Sequence, residues 1–299
     1  VLILYLCADG VSWGQQTRAV AMCRQMKRMG VEPIIVVPQV LTPGPLAEYP
    51  RHVARPTWTW PGLFEEFEPD AVVADAQPWG TYSPAWSAAM NRFTGRKVFV
   101  RRTYQEHKEA EIDLWIGLLA YDAVVSSEPG CLIRDADELI PRHRVRQQLG
   151  VRTDEVAVLV GVTPRADARD PFRAWVRGAT RGTRTRLIEV SHWPLLETLH
   201  GFDAAIITGG QIAHECRITG LPFVAVPVNS GEARRVGHRP DPAWMREWVD
   251  RVTLRTEPIH YVNPAVQMAR DVLDACRGTV PSPGANGATE DATAAAIEV

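Results

Sequence analysis

The sequence lacks cysteine in any arrangement that does chemistry. Five cysteines lie in 299 residues, at positions 7, 23, 131, 216 and 276. The number is odd, the spacing is wide and no Cys-x-x-Cys pair occurs, which argues against a disulfide framework or a thiolate metal site. They are expected to be reduced, mostly core residues of a cytoplasmic protein. An excess of charge of either sign is missing too. Lys and Arg number 33 against 35 Asp and Glu, a formal net charge of −2, so a nucleic acid partner and anionic membrane are not favoured. No apolar run approaches the ~20 residues that cross a bilayer, and no transmembrane segment is expected. The apolar run at residues 1–8 has neither a basic flank nor a cleavage site, and reads as a strand rather than a signal peptide. The eight histidines do not cluster; no metal and no cofactor are expected.

What is present is apolar sequence in short pieces. Hydrophobic residues make up 45% of the chain, enough for one large core or two ordinary ones. Strands are expected at residues 1–7, 31–37, 71–75, 97–101 and 123–127, and helices at 15–29, 63–67, 83–93 and 106–119. Residues 38–61, rich in proline and carrying Trp58 and Trp60, are expected to be a loop. A charged, irregular stretch at 128–150 separates this half from a second alternation of strands and helices, from 155 to 226. Helices are expected again at 244–252 and 264–276. The reading is an α/β fold of two Rossmann-like, doubly wound halves facing a cleft. Their bounds are 1–145 and 151–277, and 278–299 is a Pro/Gly/Ala/Thr tail of disordered composition. The last helix is expected to pack back toward the first half.

One stretch organises the second half. Residues 204–207 form a strand too short for a helix, Thr208-Gly209-Gly210 turns sharply, and 211–219 reads as a helix stopped by Gly220. Leu221-Pro222 then leads into a strand at 223–226. This β-turn-α-turn-β unit needs a parallel sheet. Glycines at the turn let a ligand approach the backbone, and free N–H groups at a helix start suit a phosphate. Glu215, a turn further on, can accept from two vicinal hydroxyls, as a ribose offers.

Gly209, then Glu215 six residues later, then Gly220-Leu221-Pro222 and Val226-Pro227, resembles the donor site of GT-B glycosyltransferases. The likeness is strongest to the branch holding the bacterial transferase that adds N-acetylglucosamine to the lipid-linked cell-wall precursor. The resemblance implies that Thr208, Gly209, Gly210 and Gln211 hold a nucleoside diphosphate and that Glu215 binds its ribose. It also implies a uridine or thymidine diphosphate sugar as donor, used as a substrate. His214, Thr163, Arg165 and Glu232 are further donor-side candidates. Near the N-terminus, Trp13 and the run Gly14-Gln15-Gln16-Thr17-Arg18 resemble the family's first loop on the acceptor side, with Gln15 where a histidine is usual. Glutamine cannot take a proton, so the general base is sought in Asp75 and Asp9, both beyond strand ends.

The expected function is metal-independent, inverting glycosyl transfer to a small-molecule, lipid-linked or polymeric acceptor. A nucleotide-sugar hydrolase of the same fold, like that of the pseudaminic acid pathway, and a non-catalytic nucleotide-sugar-binding partner subunit stand as alternatives. After Pro227 the chain runs Asn229-Ser-Gly-Glu-Ala-Arg-Arg235, unlike the sugar-contacting run of many relatives, which leaves the sugar open.

Overall fold

The short apolar runs form two fully parallel sheets with helices on their faces. The computed structural model describes residues 1–7, 13–40, 44–75, 84–101, 120–126, 130–161, 166–183, 185–190, 196–228, 237–256 and 259–279. The first sheet has six strands: β1 (Ile3–Cys7), β2 (Ile34–Val37), β3 (His52–Ala54), β4 (Ala71–Asp75), β5 (Arg96–Arg101) and β6 (Ala123–Ser126). Their order is β3-β2-β1-β4-β5-β6. Every residue of β1, β2 and β4 is buried, as strands covered on both faces require, and the uninterrupted apolar composition follows from that. Alternation divides β1 between two cores. Ile3, Tyr5 and Cys7 face Met22 and Met26 of α1 (Trp13–Arg28), while Leu4 and Leu6 face Trp60, Leu63 and Met90. Each such buried chain contributes on the order of 1.5–3 kcal/mol.

The second sheet has four strands, β7 (Ala157–Gly161), β8 (Arg186–Val190), β9 (Ala204–Ile207) and β10 (Phe223–Ala225), in the order β10-β9-β7-β8. Chain order reverses beside the first strand of each sheet, between β1 and β4 and between β7 and β9. In register, Cys7 lies opposite Asp75 and Gly161 opposite Ile207. The carboxyl ends of those strand pairs are the switch points at which open parallel sheets bind ligands.

Two elements lie where the sequence was expected to be irregular. β3 pairs with β2 at the sheet edge, inside the expected loop at 38–61. The charged stretch at 128–150 contains α4 (Arg142–Gln148). The helix expected at 106–119 lies outside the described residues, as does the tail beyond 279. The last helix, α9 (Ala265–Arg277), packs on α1 and on β5 and β6 of the first sheet, as expected. Its buried face, Ala265, Met268, Ala269, Val272, Leu273 and Cys276, has helical period.

A strap at residues 130–138 joins the two sheets. Asn263, just before α9, accepts from the Leu132 N–H at 3.1 Å and donates to the Leu132 carbonyl at 2.8 Å. Arg24 and Arg28 of α1 grip the other side, through the Ile133 carbonyl, Asp135 and Glu138. Among the described residues no helix is long and apolar enough to cross a membrane.

Candidate functional site

At the second switch point, β9 ends at Ile207 and α7 spans Gln211–Thr219, both as read from the sequence. The intervening turn demands its glycines. Gly209 has φ 109° and Gly210 φ 74° with ψ −147°, backbone that a side chain strongly disfavours. Gly220 caps the far end at φ 65°, the left-handed conformation usual there. Gly161 lets α7 come close to β7, since a Cβ there would lie 2.5 Å from Ile212 Cδ1. The helix start therefore sits directly over the carboxyl ends of β7 and β9.

The start of α1 meets it from the first half. A Cβ on Gly14, the second residue of α1, would lie 3.1 Å from Gln211 Cβ. Two helix N-termini, each with its outward N–H groups and partial positive charge, thus converge at one place. Thr208 is buried beside them.

Glu215 lies one turn inside α7 and is buried. Burial pushes its carboxyl up to about 8, and a hydrogen bond from Gln211 opposes the shift only in part. Gln211 also donates to the Cys131 carbonyl at 2.8 Å. His214 is packed against the strap, so closely that a Cβ on Gly130 would fall 2.9 Å from its Cβ and Cγ. The side chains of Gln211 and His214, expected on the donor, thus engage the chain's own strap. The protein covers that flank of the site itself.

The fold was compared with solved structures. The UDP-bound Arabidopsis thaliana protein UGT89C1 superposes with a TM-score of 0.60 at 10% identity, covering 92% of this chain and 99% of its own. The Streptomyces sp. SF2575 glycosyltransferase SsfS6, complexed with thymidine diphosphate, gives 0.57 at 13%, with 94% and 97% covered. The UDP-GlcNAc 2-epimerase of Methanocaldococcus jannaschii gives 0.55 at 10%, with 93% and 100% covered. The fold is GT-B. No family model matches the chain and no curated protein matches it in sequence.

Within this GT-B frame, Asp75 does not stand as an open base. Its side chain is fully buried, its Oδ2 accepts from the Tyr5 hydroxyl at 3.0 Å, and Arg18 grips both carboxylate oxygens. Burial and then Asp75 push the Tyr5 phenol well above its ordinary range, so it stays a donor. The Asp75 carboxylate is thus held by three donor groups inside the core. Arg18, expected in an acceptor-side loop, is the other half of that pair. Gln15 and Gln16 are likewise buried within α1 rather than looped toward an acceptor, and Gln16 Nε2 bonds the Gln39 carbonyl at 2.9 Å. The helix begins at Trp13, earlier than its glycine suggested. Asp9, Thr163, Arg165 and Glu232 lie outside the described residues.

Sequence reasoning missed three things. Cys131 and Gly130 face α7, and only the strap's path in space reveals them. Asp135-Ala136-Asp137 has the Asp-x-Asp spacing of many metal sites, but Asp135 is bound by Arg28, Gln25 and Asn263. The buried pair of Arg18 and Asp75 joins residues 57 apart in sequence.

Proposed function

We propose that this protein transfers a glycosyl group from a nucleoside-diphosphate sugar, with uridine or thymidine diphosphate as the leaving group. The meeting of the α1 and α7 starts above Glu215 is the observation that carries the reading. Charge growing on a departing diphosphate is stabilised by N–H donors fixed in advance, and two helix starts supply them with reinforcing dipoles. Glu215 fits the ribose: a buried carboxyl that Gln211 alone bonds among the described residues gains when two hydroxyls arrive to donate to it. Residues 151 onward, carrying the second sheet, take the donor, and residues 1–145 take the acceptor; α9 belongs with the first sheet by its packing. With Asp75 committed to Arg18, the acceptor's proton is assigned to Asp9, two residues past β1. Charge uptake by backbone amides makes the reaction independent of divalent cations, so activity should survive EDTA. Direct displacement by one base inverts the anomeric centre, which NMR of the product reads.

The test starts with binding. Thermal shift against UDP, TDP and their sugars should raise the melting temperature of the wild type, because a ligand that binds only the folded state stabilises it. Glu215→Ala should weaken donor binding by about tenfold to a hundredfold, from the loss of charged hydrogen bonds. Unchanged affinity in Glu215→Ala would sink the assignment. Sugar transfer is then read as nucleotide release that requires an acceptor. Release without acceptor would mean hydrolysis, a changed sugar on an intact nucleotide would mean epimerisation, and tight binding without turnover would mean a binding subunit.

A further inference from the structure

A second cleft, of about 730 Å³, opens beside α4, lined by Asp137, Arg142, His143, Arg146, His200 and His260 among others. It is far from the start of α7. Arg142 and Arg146 anchor it to Asp203, the residue before β9, whereas Gly209 is six residues further on; at strand rise that is about 20 Å. The cleft therefore lies toward the amino ends of the second sheet's strands.

We propose that this cleft is a binding site for a small molecule carrying a phosphate or carboxylate group. Three guanidinium groups, of Arg142, Arg146 and Arg255, crowd one another there, and Asp137 is the one carboxylate among the cleft's described lining residues. Arg142 and Arg146 share the single carboxylate of Asp203, at 2.6 and 3.3 Å. That carboxylate also accepts from the backbone N–H groups of Ala157 and Arg255, both at 2.8 Å, so it has nothing left to give. The crowding is visible in the titration of its neighbours. Burial holds both Arg142 and His200 below their ordinary ranges; Asp203 opposes this at Arg142, and the neighbouring guanidinium charges add to it at both.

Two unpaired, buried nitrogens belong to these residues. His200 Nδ1 and Arg146 Nε have no hydrogen-bond partner among the described residues, and both residues line the cleft. Leaving such a group unpaired costs about 1–3 kcal/mol. An oxyanion seated in the cleft supplies negative charge beside these guanidinium and imidazole groups, which neutral ligands cannot; a shift of the lining would let the two nitrogens donate to it as well. Pro141 and Ile259 give an apolar wall for the ligand's body, and Asp137 suits a hydroxyl on it. The histidines do not point to a metal: no group of three ligating residues poised for one occurs among the described residues.

The test follows the histidine ring nitrogens by proton–nitrogen NMR while inorganic phosphate, and in a parallel arm citrate, is titrated into the full chain. In wild type, the His200, His143 and His260 signals should move together and saturate. His200→Gln should weaken phosphate binding about tenfold, read on the other two histidines. Because His143 and His260 are exposed, the double variant H143A/H260A should fold normally and weaken binding as well, read on His200. Gly210→Ala, which disturbs only the start of α7, should leave the titration unchanged, so this outcome is separate from the donor-site test. Saturation by phosphate but not citrate selects phosphate ligands, and the reverse selects carboxylates. Non-saturating shifts with both anions would overturn the proposal. So would saturation that both cleft variants leave intact, or that Gly210→Ala abolishes.

Discussion

Glu215→Gln should remove a pH-dependent weakness from the folded state. In the folded protein burial pushes the Glu215 carboxyl up to about 8, against an ordinary value of 4.5. Between those values the folded chain holds a proton that the unfolded chain has released, so stability falls as pH rises. The favourable state is complete below the unfolded value and is lost progressively until pH passes about 8. At about 1.4 kcal/mol per pH unit, that span corresponds to on the order of 4–5 kcal/mol. Glutamine does not titrate and keeps the hydrogen-bonding shape. Urea unfolding at about pH 5, 7 and 9 should therefore show the wild type losing several kcal/mol relative to Glu215→Gln. Parallel curves would refute the buried carboxyl. The same group reports on the ligand. Ribose hydroxyls donate to the ionised form and draw its pKa down. At pH 7 about nine-tenths of the unliganded sites hold the proton. UDP binding should thus release close to one proton, measurable by calorimetry in buffers of different ionisation heat. Binding without proton release would show that Glu215 is not the ribose partner.

Asp75→Asn should destabilise the fold by about 3–5 kcal/mol, because Arg18 keeps its charge in the core without a counterion; guanidinium unfolding checks this, and a loss under ~1 kcal/mol would refute it. Gly130→Ala should lower stability by about 1–3 kcal/mol, since φ 102° disfavours a side chain and His214 stands in the way. His214→Ala in that background should recover the steric share, and equal melting points for the single and double variants would count against the contact. Asn263→Ala removes the clamp on both main-chain groups of Leu132 and should expose the strap at 130–138 to faster limited proteolysis. An unchanged cleavage rate would mean that the strap is held elsewhere.

What could be read in advance depended on whether the cause was local. The unit from β9 to β10 was legible almost to the residue, because Gly209, Gly210 and Gly220 punctuate the chain where it turns. The buried parallel strands were legible because two covered faces leave no reason for polar residues. β3 was not, since His52–Ala54 is a strand only by virtue of its pairing with β2. α4 was missed for a related reason. Its Arg-rich sequence resembles a solvated linker, yet Arg142 and Arg146 are drawn in by Asp203, about sixty positions away. Asp75 shows the same limit at the site. Its place at the carboxyl end of a strand suggested a base, while its partner Arg18 was hidden in an apparently separate motif.

The arrangement at the two switch points is easier to understand as an unfinished electrostatic balance than as a packing solution. Helix starts repel one another weakly, and packing alone gives no reason to bring two into van der Waals contact. Here the contact needs Gly14 on one side, a strained glycine pair on the other and Gly161 beneath. Gly161 serves packing, making room for Ile212 on the sheet, whereas a Cβ on Gly210 would meet nothing and only its positive φ calls for glycine. On the proposed function, an anion between the two starts would offset the repulsion and use the freed N–H groups. The strap adds a condition. Gln211 bonds both Glu215 and the Cys131 carbonyl, so a nucleotide that recruits Glu215 must also disturb the seam between the two halves. On the proposed function, donor binding and the seating of the halves would be one equilibrium. On that account UDP should alter the proteolytic susceptibility of the strap at 130–138 in the wild type and leave it unaltered in Glu215→Ala.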